Sequence, residues 1–249
     1  MLQQYQIRSV EQLDALLNQT TDMGGNGVFN ESLLAPELRT LLQMYNEGTA
    51  HLQQDRPLQA IPWFQRALQF APGFVAARCN LGWALAMTGN LERALFELET
   101  ALDYAADDPD VWLNIAKINH SLGKTVEAEE AYWRVLDARP RDCQTILWLS
   151  TILMQAYRLN EAENLLQTAM DVIDGNLQFG PRLSPGYDPH IWDEELFEAQ
   201  YYLGQIDIAN QKWSDAVVHL EKCARIDPRH PDVQELLAEA KRKSRRWFR

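Results

Sequence analysis

Residues 80–94 read NLGWALAMTGNLERA, and the small residue of this stretch, Gly82, recurs along the chain at a fixed interval. Four small residues lie 34 positions apart and a fifth follows 54 later: Gly48, Gly82, Ala116, Ser150 and Gly204. An alanine stands 12 positions after each of them: Ala60, Ala94, Ala128, Ala162 and Ala216. Such a period predicts a hairpin of two helices that cannot bury its own apolar face and therefore stacks on copies of itself.

The small residue and the later alanine are expected where the two helices of a hairpin come close together. In this register, the stretch from Asn80 to Leu85 with Ala94, and residues 112–116 with Ala128 and Pro140, resemble tetratricopeptide repeats. The resemblance covers residues 41–230 apart from one insertion. It implies an all-α, right-handed superhelix of five helix hairpins with terminal capping helices.

The register divides the chain into five repeats and three other segments. The repeats are expected at 41–74, 75–108, 109–142, 143–176 and 197–230, with an inter-helix turn near 158–160 in the fourth. Residues 1–40 are predicted to form a helical extension, with a helix at about 10–19, and a loop. Residues 177–196 hold three prolines and predict an irregular insertion, and residues 231–249 predict a capping helix with a basic end.

The formal charge of the chain is −12, and residues 241–249 contribute six positive charges, so residues 1–240 carry −18. An acidic body repels phosphate backbones, which makes nucleic acid an unlikely partner and favours cationic protein partners. The three cysteines suit reduced thiols, and no run of about 20 apolar residues predicts a membrane span. These features predict a cytoplasmic protein.

The sequence offers no catalytic, cofactor-binding or metal-binding constellation. The five histidines are dispersed, and none is spaced as a metal pair with a cysteine or carboxylate. We therefore expect no enzyme activity and no cofactor. The carboxylate clamp of chaperone-binding family members is also missing. The clamp needs Lys and Asn in one first helix, where this chain offers Tyr45 and Thr49 around Asn46. It needs Lys and Arg in a later first helix, where Asp110 and Asn114 stand.

The resemblance implies that the first helix of every repeat lines a concave groove that binds a protein or peptide. The sixth position of the first three repeats holds Asn46, Asn80 and Asn114, similar to the asparagine ladder with which some family members hold an extended peptide. An asparagine supplies both a donor and an acceptor to a peptide unit. The alternative is that these amides satisfy nearby backbone groups.

The other groove residues implied by the resemblance are mostly apolar or aromatic. Trp83 is the expected hot spot, because a large aromatic in a groove often anchors a ligand. The alternative is that Trp83 packs between repeats or under the insertion. The full set of further partner-binding candidates is Tyr45, Trp83, Met87, Lys117, Leu147, Thr151 and Tyr201.

The basic end at 241–249 has three explanations. Cations at a helix C-terminus complement its dipole, which is the favoured interpretation. Peripheral contact with an anionic membrane or nucleic acid is the second, and docking onto the acidic body of another copy is the third. The predicted function is therefore a non-catalytic scaffold or adaptor, with a self-assembling oligomeric scaffold and an accessory subunit of an enzyme complex as alternatives.

Overall fold

The computed structural model describes residues 36–179 and 189–247, and the regular secondary structure in this part of the chain is entirely α-helical. The expected helix at 10–19 lies outside the described residues. The helices are α1 (Pro36–Gln53), α2 (Pro57–Phe70), α3 (Val75–Met87), α4 (Leu91–Leu102), α5 (Pro109–Ser121), α6 (Thr125–Ala138), α7 (Cys143–Gln155), α8 (Leu159–Phe179), α9 (Pro189–Ala209), α10 (Trp213–Ile226) and α11 (Pro231–Trp247). The predicted all-α array of hairpins is confirmed.

The described residues form two compact units, divided between residues 135 and 136: unit 1 holds residues 36–135, and unit 2 holds residues 136–179 and 189–247. In unit 1, α1 pairs with α2 and α3 with α4, and the first helices α1, α3 and α5 contact one another in sequence. In unit 2, α7 pairs with α8 and α9 with α10, and α9 also contacts α7 and α11. Each unit therefore places first helices side by side, as stacked hairpins require.

The small residues lie where two helices approach closely, as the period predicts. A Cβ added to Gly82 would lie 2.9 Å from Cγ of Leu98, and one added to Gly204 would lie 2.9 Å from Cγ of Leu220. A Cβ added to Gly48 would lie 2.7 Å from Cε1 of the Phe64 ring. The alanines of the repeat, Ala60, Ala94, Ala128, Ala162 and Ala216, are all fully buried. Side-chain size at these positions therefore sets how closely each hairpin closes.

The inter-helix turns share one backbone conformation. Gly89 and Gly123 adopt positive φ angles of 79° and 71°, and the equivalent residues elsewhere are Asp55, Tyr157 and Gln211, with φ of 55°, 57° and 60°. The fourth turn lies at residues 156–158, two residues before the expected 158–160, because Leu159 already begins α8. Tyr157 therefore adopts the left-handed conformation that its counterparts Gly89 and Gly123 adopt without steric cost.

Helix ends are fixed by capping side chains and prolines. Asp108 accepts hydrogen bonds from the backbone amides of Asp110 and Val111 at 2.9 and 3.3 Å, which satisfies the free donors at the start of α5. Asp142 caps α7 through the amide of Thr145 at 2.9 Å. These caps set where the first helices of the third and fourth repeats begin.

The helices on either side of the expected insertion extend into its predicted range of 177–196. Helix α8 continues to Phe179 and α9 begins at Pro189, where a proline suits the first turn of a helix. Helix α11 packs against α10, with Leu237 and Ala240 joining the core around Ala216 and Leu220. In the part of the chain that the structure describes, no helix is long and apolar enough to cross a bilayer.

Candidate functional site

The first helices of unit 1 form a continuous surface, because α3 contacts both α1 and α5. Most of the predicted partner-binding residues lie on these three helices. We call this surface the first-helix face and define it by Tyr45, Asn46, Thr49, Asn80, Trp83, Met87, Asn114 and Lys117.

The junction of α1 and α3 is held by a small polar network. The amide Nδ2 of Asn80 donates to Oη of Tyr45 at 3.1 Å and to Oγ1 of Thr49 at 3.5 Å. Thr49 in turn donates to the backbone oxygen of Tyr45 at 2.9 Å. The ring of Tyr45 packs against Phe64 and Phe74, with centroids 6.1 and 5.3 Å away. The donor end of Asn80 thus contacts two side-chain hydroxyl groups of α1, whereas the alternative interpretation of the asparagines expected nearby backbone groups as partners.

Trp83 and Met87 form an exposed apolar pair beside this network. Their side chains are 43% and 40% exposed, and they lie one helical turn apart on α3. The opposite side of α3 supplies the buried residues Leu81, Ala84 and Leu85. Trp83 is therefore not covered by its own hairpin, and much of its indole surface is open to a ligand.

The other two asparagines differ from Asn80 in their surroundings. Asn46 is exposed and lies in a depression along α1 beside Arg39 and Glu47. Asn114 is half-buried on α5, and Lys117 follows it on the same helix, also half-buried. The three amides thus share one register position but not one environment.

The candidates in unit 2 make contacts within that unit. Leu147 is a core residue with 1% exposure, so its prediction as a partner contact is wrong; the apolar side chains of α7 face inward on almost every side. Thr151 donates to the backbone oxygen of Trp148 at 2.7 Å. Tyr201 packs on the core shared by α10 and α11, with its ring centroid 5.9 Å from that of His230 and 6.1 Å from that of Phe197.

Two of the described cysteines have strongly raised pKa values. Burial raises the pKa of Cys143 to about 12 and that of Cys223 to about 12, so both thiols are protonated at neutral pH and are poor nucleophiles. Within the described ranges, no group of three or more histidines, cysteines or carboxylates could hold a metal ion. The first-helix face instead offers hydrogen bonds from amides and apolar contact from Trp83 and Met87.

The sequence analysis did not predict one polar cluster, which lies between α9 and α10. Asp207 on α9 lies 3.6 Å from Nε2 of His219 on α10, and Gln200 contacts the other ring nitrogen at 2.7 Å. Asp207 and His219 are 12 positions apart, the same separation as Gly204 and Ala216. The 12-residue separation that places each alanine opposite its small residue could therefore have predicted this contact.

Comparison with protein families identifies two segments of the chain. Residues 51–118 and residues 109–142 each match a family model described as tetratricopeptide repeat. No functionally curated protein shows significant sequence similarity to the chain.

Solved structures resemble this fold at low sequence identity. The crystal structure of YrrB, described as a tetratricopeptide repeat protein with an unusual peptide-binding site, has a TM-score of 0.61 and 15% identity, with 84% of this chain and 98% of that chain covered. MamA residues 41 to the end, from Desulfovibrio magneticus RS-1, gives 0.62 and 15%, covering 79% and 98%. The C-terminal part of a repeat-containing protein from Cytophaga hutchinsonii gives 0.62 and 15%, covering 92% and 88%. These similarities establish the fold alone.

Proposed function

The chain belongs to the tetratricopeptide repeat family, and we propose that it is a non-catalytic adaptor that binds a peptide segment of another protein on the first-helix face of unit 1. The observation that carries this proposal is the exposed pair of Trp83 and Met87 on the helix that also carries Asn80, with Asn114 on the adjoining helix α5. An exposed apolar patch with a polar rim is typical of a partner-binding site.

The apolar pair would supply the anchor of the binding site. A ligand side chain that covers Trp83 and Met87 removes apolar surface from water on both partners, which contributes about 25 cal/mol for each Å² buried. Tryptophan is enriched among residues that dominate binding energies. The ligand is therefore expected to carry an apolar or aromatic side chain at the position that meets Trp83.

The amides would fix the ligand backbone without reading its sequence. The Oδ1 atom of Asn80 accepts no hydrogen bond from any described residue and is free to accept one from a peptide N–H, although its donor end serves Tyr45. Asn46 and Asn114 offer both ends of an amide in the same register. The YrrB structure, described as having a peptide-binding site, supports a peptide as the class of ligand.

The charge of the chain would influence which partners approach. Residues 1–240 carry a formal charge of −18, which attracts cationic segments and raises their association rate at low ionic strength. Lys117 is the one cation among the eight residues of the first-helix face.

The basic end of the chain gives less support to self-assembly. Lys241 pairs with Glu221 at 2.8 Å, and Lys243 lies over the ring of Trp213 at 5.5 Å, so both cations have partners within unit 2. These contacts support a capping role for α11.

Affinity capture from a soluble lysate with three forms of the chain tests the proposal. The forms are the native chain, Trp83→Ala, and Phe96→Ala, a matched control that removes an aromatic side chain that is 66% exposed on α4 of the same unit. We expect the native and Phe96→Ala forms to retain the same proteins and Trp83→Ala to lose them. Retention by Trp83→Ala would contradict the assignment of the surface.

A further inference from the structure

The hairpin of α9 and α10 contains a buried carboxyl group with an incomplete set of hydrogen bonds. Asp207 is 5% exposed, and its Oδ2 atom accepts no hydrogen bond in the described structure. Nε2 of His219 lies across the hairpin, 3.6 Å from this atom. A buried polar atom without a partner costs about 1–3 kcal/mol, so this arrangement needs a physical reason.

The protonation of the His219 ring follows from its other neighbour. Gln200 is buried, and its Nε2 atom donates to the sulfur of Met170 at 3.3 Å. A thioether has no hydrogen to donate, so the end of Gln200 that faces it must be the NH₂ group. The carbonyl Oε1 of Gln200 therefore faces Nδ1 of His219, at 2.7 Å, and Nδ1 must carry a proton.

This assignment leaves Nε2 of a neutral His219 as a bare lone pair that points at a carboxyl oxygen. The two acceptors are 3.6 Å apart, which is within the range of an ion pair, so one proton on either atom removes the repulsion between them. We propose that Asp207 and His219 together hold one proton, on Oδ2 or on Nε2, and that its release to solvent at alkaline pH loosens the hairpin of α9 and α10. The O–H or N–H bond breaks, and the proton leaves as solvent H⁺ without any other reactant.

The charged groups around the pair lie on α8, on α10 and in the turn before α10. Lys212 lies 4.0 Å from the other oxygen of Asp207 and lowers its pKa, but Lys212 is also paired with Glu163 at 3.0 Å. Glu163 and Asp215 raise the pKa of Asp207, and both also raise that of His219, which Lys222 lowers. Burial is nevertheless the largest influence on the pKa of each of the two groups.

Burial favours the form of the pair with no net charge. It raises the pKa of Asp207 to about 6 and lowers the pKa of His219 below its ordinary value. A pair that holds one proton has zero net charge wherever the proton lies, whereas loss of the proton buries a carboxylate opposite a lone pair. A carboxylate 3.6 Å from Nε2 also favours a protonated ring, so the pair keeps its proton above the pH at which the separate groups would lose it.

The sign of the pH effect follows from counting protons. Above about pH 6.5, both groups are deprotonated in the unfolded chain, whereas the folded pair still holds one proton. The folded state binds more protons, so stability falls as pH rises through this range. Between about pH 4 and 6.5, folded and unfolded chains each hold one proton on these groups, and the pair contributes no slope.

Nuclear magnetic resonance of the ring nitrogens of His219 tests the proton assignment in the native chain without any substitution. We expect Nδ1 to remain protonated throughout and the Nε2 signal to titrate above the ordinary histidine pKa of about 6.5. A neutral ring with its proton on Nε2 would overturn the proposal, and so would titration below that value.

Hydrogen exchange tests the consequence for the hairpin. Protection factors, which already correct for the intrinsic pH dependence of exchange, are measured for α9 and α10 in the native chain and in Asp207→Asn. Asparagine retains an oxygen towards Lys212 and supplies a permanent N–H towards Nε2. We expect native protection to fall about tenfold between pH 6 and 9, and Asp207→Asn to remain nearly flat. Equal pH profiles for the two chains would refute the shared proton.

Discussion

Gly204→Ala tests whether the small residue of each repeat is required by the approach of two helices. A Cβ at residue 204 would lie 2.9 Å from Cγ and 3.0 Å from Cδ2 of Leu220. Carbon atoms pack best about 3.5–4.0 Å apart, so Leu220 has to shift by more than half an ångström. Leu220 is fully buried, so it has no solvent-filled space to move into.

The matched control is Gly175→Ala, on α8 of the same unit. A Cβ at residue 175 would meet no atom within 4 Å. Both substitutions gain about 1 kcal/mol from the better helix propensity of alanine, and only Gly204→Ala adds an overpacking cost of about 1–3 kcal/mol. The difference between the two changes in unfolding free energy removes the shared gain and isolates the steric cost.

Urea unfolding followed by far-ultraviolet circular dichroism measures this difference. We expect Gly175→Ala to raise the unfolding free energy of unit 2 by about 1 kcal/mol and Gly204→Ala to lie about 1–3 kcal/mol below it. Equal stabilisation by both substitutions would refute the close approach at Gly204, and with it the physical reason given for the repeat period.

Four further substitutions are tested by the same unfolding assay, and three of them are expected to change stability. Tyr157→Gly should stabilise unit 2 by about 0.5–1 kcal/mol, because it removes a side chain that is 88% exposed from a left-handed turn; a loss of stability would contradict the strain. Ser150→Ala should stabilise by about 1 kcal/mol, because the buried Oγ lacks a partner; destabilisation would indicate a hidden hydrogen bond. Asn80→Ala should cost about 1 kcal/mol while Asn46→Ala costs almost nothing, and equal effects would contradict the network at Tyr45.

The hairpin packing could be predicted from the sequence because it depends on backbone geometry that repeats every 34 residues. The positions of Gly82 and Ala94 within their hairpin follow from that period, whatever the other side chains are. The same spacing also places Tyr157 in the turn, since it lies 34 residues after Gly123. The turn was instead expected at 158–160, outside this register, because tyrosine is not a typical turn-forming residue.

The environment of the candidate site could be predicted only in part, because exposure depends on which side chains cover each position. Asn46 and Asn80 share a register position, yet only Asn80 meets a tyrosine hydroxyl across the helix pair. Leu147 sits at the position of Tyr45 but belongs to a helix that is apolar on nearly all sides. Such differences arise from neighbours on other helices, which a repeat pattern does not specify.

Equivalent contacts in different repeats illustrate the same limit. Arg78 pairs with Glu97 at 2.7 Å, and Gln200 contacts His219 at 2.7 Å; both pairs are 19 residues apart and occupy the same two repeat positions. The period predicts that these positions meet. It does not predict that one pair is an ion pair and that the other leads to a buried carboxyl group at Asp207.

Site-specific photo-cross-linking tests the central claim most directly. A photoreactive benzoylphenylalanine is placed at position 83 in one form of the chain and at position 96 in another, and each is irradiated in the soluble lysate. The account predicts a cross-linked partner at position 83, attached through a short peptide segment, and none at position 96. Cross-linking at position 96 but not at position 83 would contradict the assignment of partner binding to the first-helix face.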